Sequence, residues 1–142
     1  MPISWDKCNL RKWLNSEFLA AGFTSDEQSR ILPTRLANNS GIATLDKIFV
    51  LSIDEVKQYF SRQEDRICKV TRYARSRGAA VNSEEEMLGL WWLRSRGTGS
   101  RADYYAAAVG YEGFIYGSTH LYAGLGVESN GAAIRPALWL KA

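Results

Sequence analysis

The stretch 89-GLWWLRSRGTGSRADYYAAAVGYEGFIYGSTHLYAG-124 decides how the chain folds. Two adjacent tryptophans lead into a run of Gly, Ser, Tyr, Ala and Arg that is too aromatic for a linker and too glycine-rich for a helix. After about residue 88 the apolar period is two. In 105-YAAAVGYEGFIYGSTHLY-122 this predicts a hairpin turning at Tyr111, Glu112 and Gly113, with Ala107, Val109, Ile115 and Leu121 pointing inward. Tyr111, Phe114, Tyr116 and Tyr122 are less easily housed in the same core. The closing segment, 134-IRPALWLKA-142, reads as a final strand, with Pro136 marking an edge position or a bulge.

Upstream, the signals are helical. Ser4 can cap a helix through about Phe18, because Leu10, Trp13, Leu14 and Phe18 form one apolar stripe at helical spacing. Ser25, followed by Asp26 and Glu27, starts a shorter helix that Pro33 ends. The run 45-LDKIFVLS-52 reads as a short buried strand. Ser52 and Glu55 make a capping box ahead of a helix that carries Val56, Tyr59 and Phe60. Residues 61–78 read as a helix end and then an irregular stretch, and 84-EEE-86 as a charged loop or helix start.

Helices first and a small antiparallel sheet second make an α+β pattern. A length of 142 residues suits one domain, 1–142, with a helical scaffold part (1–88) and a β-rich, ligand-binding part (89–142). Nine of the 12 glycines and nine of the 17 aromatics lie from Gly89 onward, which places the specialised surface in the second part.

Composition removes several function classes. Hydrophobic residues at 46% and charged residues at 23% describe an ordinary globular chain. A net charge of +3 is too mild to argue for nucleic acid. The densest basic cluster, Arg62, Arg66, Lys69, Arg72, Arg75 and Arg77, reads as a solvated face. Cys8 and Cys68 form no Cys-x-x-Cys pair and read as buried free thiols, and a single histidine leaves a structural zinc site without ligands. No apolar run approaches the roughly 20 residues that span a bilayer, and MPISWDKCNL has no hydrophobic signal core. We therefore expect neither membrane insertion nor a signal peptide in this chain.

Catalysis finds little support. His120, the only histidine, sits in a Gly/Ser/Thr/Tyr stretch that reads as an exposed loop. Asp103, Glu112 and Glu128 have turn-like contexts, and no spacing makes two of them face one cleft. GTGSR at 97–101 lacks the Lys-Ser/Thr of a phosphate loop. No enzyme and no cofactor are expected. Binding fares better, because tyrosine offers broad amphipathic contact with little rotamer entropy to lose, while Ser, Gly and Asn supply adaptable polar contacts. Residues 98–130 have that composition.

At this point the residues reach a family. The chain resembles a bacterial and phage domain of unknown function marked by 91-WWLRS-95 and 135-RPALWL-140, and the likeness extends through 5-WDKCNLRKWLN-15, 45-LDKIFVLSIDEVKQYF-60 and 65-DRICKVTRYA-74. It departs at Arg96, where the resemblance implies a proline in most relatives, and so implies a different course for the loop after Ser95. The resemblance implies a C-type-lectin-like fold close to that of formylglycine-generating enzymes, as in the variable proteins of diversity-generating retroelements. In those proteins error-prone reverse transcription at adenines diversifies exposed codons on a stable scaffold. An Asn codon randomised in that way yields Tyr, Ser, Asp, Gly and His, which matches the alphabet seen here.

Carried over by position, Trp91, Trp92, Leu93, Arg135, Pro136, Leu138 and Trp139 match the scaffold motif, with core packing and strand pairing as the expected role. Arg94 is open to an inward role on backbone carbonyls or an outward one on ligand. The ligand-binding candidates that the resemblance implies are Arg96, Ser100, Arg101, Asp103, Tyr104, Tyr105, Tyr111, Phe114, Tyr116, His120, Tyr122, Glu128 and Asn130. Calcium is not implied, since no Glu-Pro-Asn or Gln-Pro-Asp tripeptide is present. Nor is copper, since both cysteines precede residue 69. The expected function is a non-enzymatic module that binds a protein ligand rather than a glycan, at a bacterial surface or on a phage virion. Its rivals are a carbohydrate-active or carbohydrate-binding domain using Asp103 or Glu128, and a purely structural module of a larger surface or tail protein.

Overall fold

The structure is a computed structural model, which describes residues 4–38, 41–100, 102–119 and 123–142. A 3-10 turn, Trp5–Lys7, leads into α1 (Asn9–Trp13), which continues through a π-helical stretch (Leu14–Phe18) into α2 (Leu19–Gly22). The helix starts later than Ser4 predicts, because Cys8 is extended and its Sγ accepts the cap bond from the Arg11 amide at 3.4 Å. Ser4 makes no side-chain cap bond. On the predicted stripe, Leu14 is fully buried while Trp13 stays 39% exposed. The π-helical stretch turns Asn15 toward residues 47 and 48. Its amide donates to the Ile48 carbonyl at 2.8 Å, and its Oδ1 accepts from the amides of Lys47 (2.8 Å) and Ile48 (3.1 Å).

Helix α3 (Ser25–Arg30) is opened by Thr24, one residue before the expected cap, through a capping box with Glu27. Its end is at Arg30, with Ile31 already extended, so Pro33 is not what stops it. Strand β1 (Thr34–Leu36), which the pattern did not reveal, pairs antiparallel with β2 (Thr44–Asp46). The buried run 45–52 is therefore a strand only at its start. Ile48, Phe49 and Val50 are buried, but Asn15 occupies the backbone groups at 47 and 48, and only an isolated bridge from Phe49 to Ala137 follows. Helix α4 (Ile53–Tyr59) has the capping box of Ser52 and Glu55 that its sequence predicts. Residues 61–78 are more regular than expected. They contain a 3-10 turn, Glu64–Arg66, and α5 (Arg72–Ser76), where the Thr71 hydroxyl accepts from the Ala74 amide at 3.1 Å.

The main sheet consists of β3 (Trp91–Arg96), β4 (Tyr105–Val109), β5 (Ile115–Tyr116) and β6 (Leu125–Gly126). Central β4 pairs antiparallel with β3 on one side, and with β5 and β6 on the other. The predicted hairpin is present, with Val109 opposite Ile115 and a turn in which Gly113 adopts φ 83°. Its inward residues Ala107 and Val109 are fully buried and Ile115 is half-buried, while Leu121 lies outside the described residues. The closing segment is not a strand. It meets the N-terminal part through two isolated bridges, Phe49 to Ala137 and Ile31 to Leu140. The architecture is thus α+β.

Two apolar clusters form the core. The first joins Trp5, Leu14, Leu19, Ile31, Leu36, Ile48, Phe49 and Val50, and the second joins Val56, Trp91, Leu93, Ala107 and Val109. Leu51 packs against both, which makes one continuous interior. A buried carboxylate anchors the first cluster. Asp46 accepts from Trp5 Nε1 (2.9 Å), Arg11 Nε (2.7 Å) and the Thr44 hydroxyl (2.8 Å), so both of its buried oxygens have partners. Among the described residues, no helix is long and apolar enough to cross a membrane.

Candidate functional site

The scaffold motif comes first, since it positions everything after it. Strand alternation sends Trp91 and Leu93 into the second cluster, both 2% exposed. Arg94 points inward. Its Nη1 donates to the Val50 carbonyl at 3.0 Å and to Glu55 Oε2 at 2.5 Å, and its Nη2 donates to Glu55 Oε1 at 2.7 Å. Ser95 completes the arrangement, its hydroxyl accepting from the Ile53 amide at 2.9 Å. Ser95 therefore caps α4 from outside that helix's own sequence, and Arg94 holds the Glu55 of the Ser52–Glu55 box.

The second motif behaves differently from expectation. Arg135 lies between two rings, 4.8 Å from the Phe60 centroid and 5.0 Å from that of Trp91. Leu138 packs on the first cluster, but Trp139 is 47% exposed and meets Tyr59 edge-on at 6.1 Å. Expecting Trp139 in the core was wrong. Its carbonyl accepts from the Leu32 amide at 2.7 Å, so the segment is fixed there by backbone and the ring lies over the surface.

Beyond Ser95 the chain leaves the core. Strand β3 runs through Arg96, which pairs with Ala106 after a shift of register between Trp92 and Arg96, and forms an ion pair with Asp103. Asp103 belongs to the 3-10 turn Ala102–Tyr104. From there three backbone segments lie side by side. The Gly97 amide donates to the Tyr105 carbonyl (2.8 Å), the Thr98 amide to the Ala123 carbonyl (2.8 Å), and the Val127 amide to the Tyr104 carbonyl (3.0 Å). An open groove of about 520 Å³ results, lined by Tyr104, Tyr105, Gly126, Val127 and Glu128. Tyr104 is 57% exposed, and Glu128 forms no ion pair among the described residues.

The predicted binding residues thus fall into groups. Arg96, Asp103, Tyr104, Tyr105 and Glu128 gather at the end of the sheet where β4 begins, and Ser100 and Asn130 are exposed in nearby sequence. Tyr111 and Phe114 lie in the hairpin turn at the other end of β4. Four strand steps of roughly 3.3 Å separate the two ends, about 13 Å in all. Tyr116 pairs with Ala108, and its ring covers Gly110 so closely that a Cβ there would lie 2.4 Å from Cε2. Arg101, His120 and Tyr122 lie outside the described residues.

Other candidate chemistry is absorbed by the fold. Within the basic cluster Arg62 pairs with Asp65 and Arg75 with Glu84, and Arg66 donates to the carbonyls of Phe60 and Ser61. Both cysteines are free thiols, half-buried rather than buried, and burial pushes the Cys8 thiol up. Among the described residues no three His, Cys, Asp or Glu side chains converge as metal ligands. Sequence reasoning missed the roles of Asp46 and Asn15. The signal for Asp46 was a lone acid in an apolar run, which must find partners if the run is buried.

The chain belongs to the family described as domain of unknown function (DUF6273), whose model matches residues 1–142. No curated protein and no solved structure matches it.

Proposed function

We propose that this domain is a non-enzymatic ligand-binding module, whose binding face is the groove between Tyr104, Tyr105 and Glu128 with the exposed residues around it. The carrying observation is a division of labour. The groove's segments are tied together by backbone hydrogen bonds at Gly97, Thr98 and Val127, while its outward side chains, such as Tyr104 and Glu128, take no part in the two core clusters. A face built that way tolerates exchange of its side chains. The ion pair of Asp103 with Arg96 favours this reading over a catalytic pair of carboxylates, since a paired Asp103 is a poor partner for Glu128 in acid–base work. A protein ligand fits better than a glycan, because tyrosines on an open groove suit broad contact.

The finer reading is a C-type-lectin-like variable protein of a diversity-generating retroelement. It is supported by helices preceding a small antiparallel sheet with long irregular connections, and by the Tyr/Ser/Gly/Asp alphabet outside the core. The test is a library randomised at the exposed positions Ser100, Tyr104, Phe114, Glu128 and Asn130. Most members should fold, and selection should return binders to unrelated proteins. Widespread aggregation of the library would overturn the proposal. The genomic half of the reading requires a reverse transcriptase and a near-copy of the 3′ coding segment in the neighbouring DNA.

A further inference from the structure

We infer that the groove is a cation site, built to take an arginine side chain projecting from a protein ligand. The inference rests on the ligand-binding reading and gives it a chemistry. Charge decides it. Arg96, the cation placed by β3 at this end of the sheet, is taken by Asp103, so the pair contributes no net charge. Glu128 is exposed on the turn after β6 and forms no ion pair among the described residues. Among the described residues the groove's lining therefore holds one charged side chain, Glu128, without an ion-pair partner, together with Tyr104 and Tyr105, on a chain whose net charge is +3.

Two tyrosines and a carboxylate lining one open cleft match what a guanidinium needs. Its flat faces are attracted to the negative face of an aromatic ring, and its edge presents parallel N–H donors to both oxygens of a carboxylate. An ammonium gains the charge attraction but neither the stacking nor the paired hydrogen bonds, so lysine is the poorer occupant. An acidic or purely apolar group would leave Glu128 facing like charge or desolvated without a partner. The positive charge of the chain as a whole works against generic capture of basic peptides, which makes binding at this groove a local property.

The test titrates the full chain with acetyl-Gly-Arg-Gly-amide and with its Lys and Gln counterparts, following tyrosine ring proton signals assigned through Tyr104→Ser and Tyr105→Phe. The arginine peptide should shift the Tyr104 signals saturably, with a Kd of about 1–10 mM expected for one side chain on one shallow site. The lysine peptide should bind at least about threefold more weakly, and the glutamine peptide should give no saturable shift. Glu128→Gln should weaken arginine binding by at least about fivefold, and raising the salt should weaken it for the parent only. Tyr104→Ser, followed on the remaining tyrosine signals, supplies a second variant on an exposed position. The inference is overturned if the arginine peptide gives no saturable shift, if the glutamine peptide binds equally, or if Glu128→Gln leaves the Kd unchanged. Selectable binders from the randomised face together with a groove that ignores arginine would remove this inference and leave the ligand-binding function standing.

Discussion

Arg94 and Glu55 meet through two hydrogen bonds of 2.5 and 2.7 Å across 39 residues of sequence, with the Arg94 side chain only 3% exposed. The pair fastens β3 to the first turn of α4, because Glu55 also accepts from the Ser52 amide at 2.9 Å. Removing the cation by Arg94→Leu leaves a half-buried carboxylate with no counter-charge and only the Ser52 amide as donor, and should cost about 3–5 kcal/mol. Urea unfolding measures this, and a loss below about 1 kcal/mol would contradict the role assigned to the pair.

The same pair sets an acid limit. Burial pushes the Glu55 carboxyl up, but the hydrogen bonds from Arg94 and from Ser52 outweigh it and hold the group below its ordinary 4.5. A depressed folded pKa contributes stability that is fully present above the unfolded value and is lost as pH falls through the folded one. The melting temperature should therefore hold near neutrality and drop below about pH 4.5. In Glu55→Gln that drop should be smaller. Parallel acid profiles for parent and variant would refute the assignment.

The two tryptophan motifs should respond unequally. Trp91 is buried, donates from Nε1 to the Arg66 carbonyl at 3.2 Å and backs the Arg135 guanidinium, so Trp91→Ala should cost about 3–5 kcal/mol. Trp139 keeps nearly half its surface in water, and Trp139→Ala should cost only about 1 kcal/mol. Equal losses in thermal unfolding would place Trp139 back in the core.

Gly113 combines a positive φ with contact. A Cβ there would lie 2.1 Å from the Gln63 backbone carbonyl oxygen, beside the bond that Gln63 Nε2 donates to the Glu112 carbonyl at 2.9 Å. Gly113→Ala should cost about 1–3 kcal/mol and weaken hydrogen-exchange protection in the hairpin first. An unchanged melting temperature together with unchanged exchange would show that the turn does not need glycine.

What was legible in the sequence was mostly local. The Ser52–Glu55 box and the hairpin at Tyr111 to Gly113 depend on residues within a few positions of each other, and both stand where the pattern put them. The misplaced elements depend on distant partners. No local signal could place Asn15 against residues 47 and 48, and so the apolar run 45–52 read as a strand throughout. Period-two patterning likewise made a strand of the closing segment, although its backbone partners are single residues of the N-terminal part. For the site, composition located Tyr104, Tyr105 and Glu128 in one region. It could not tell that Tyr111 and Phe114 lie at the opposite end of β4, because strand direction separates residues that composition groups together.

The closing segment has a consequence for how the protein is made. Ala137, Trp139 and Lys141 hydrogen-bond to Phe49, Leu32 and Arg30, backbone groups laid down about a hundred residues earlier. A chain emerging from the ribosome can form α1 to α4 early, but the first cluster stays open until Ala137 and Leu138 arrive to cover it. Native closure of this cluster therefore waits for residues 137–141. A nascent chain stalled short of Ala137 would display Phe49 and its neighbours uncovered, a surface for chaperones to hold until synthesis moves on.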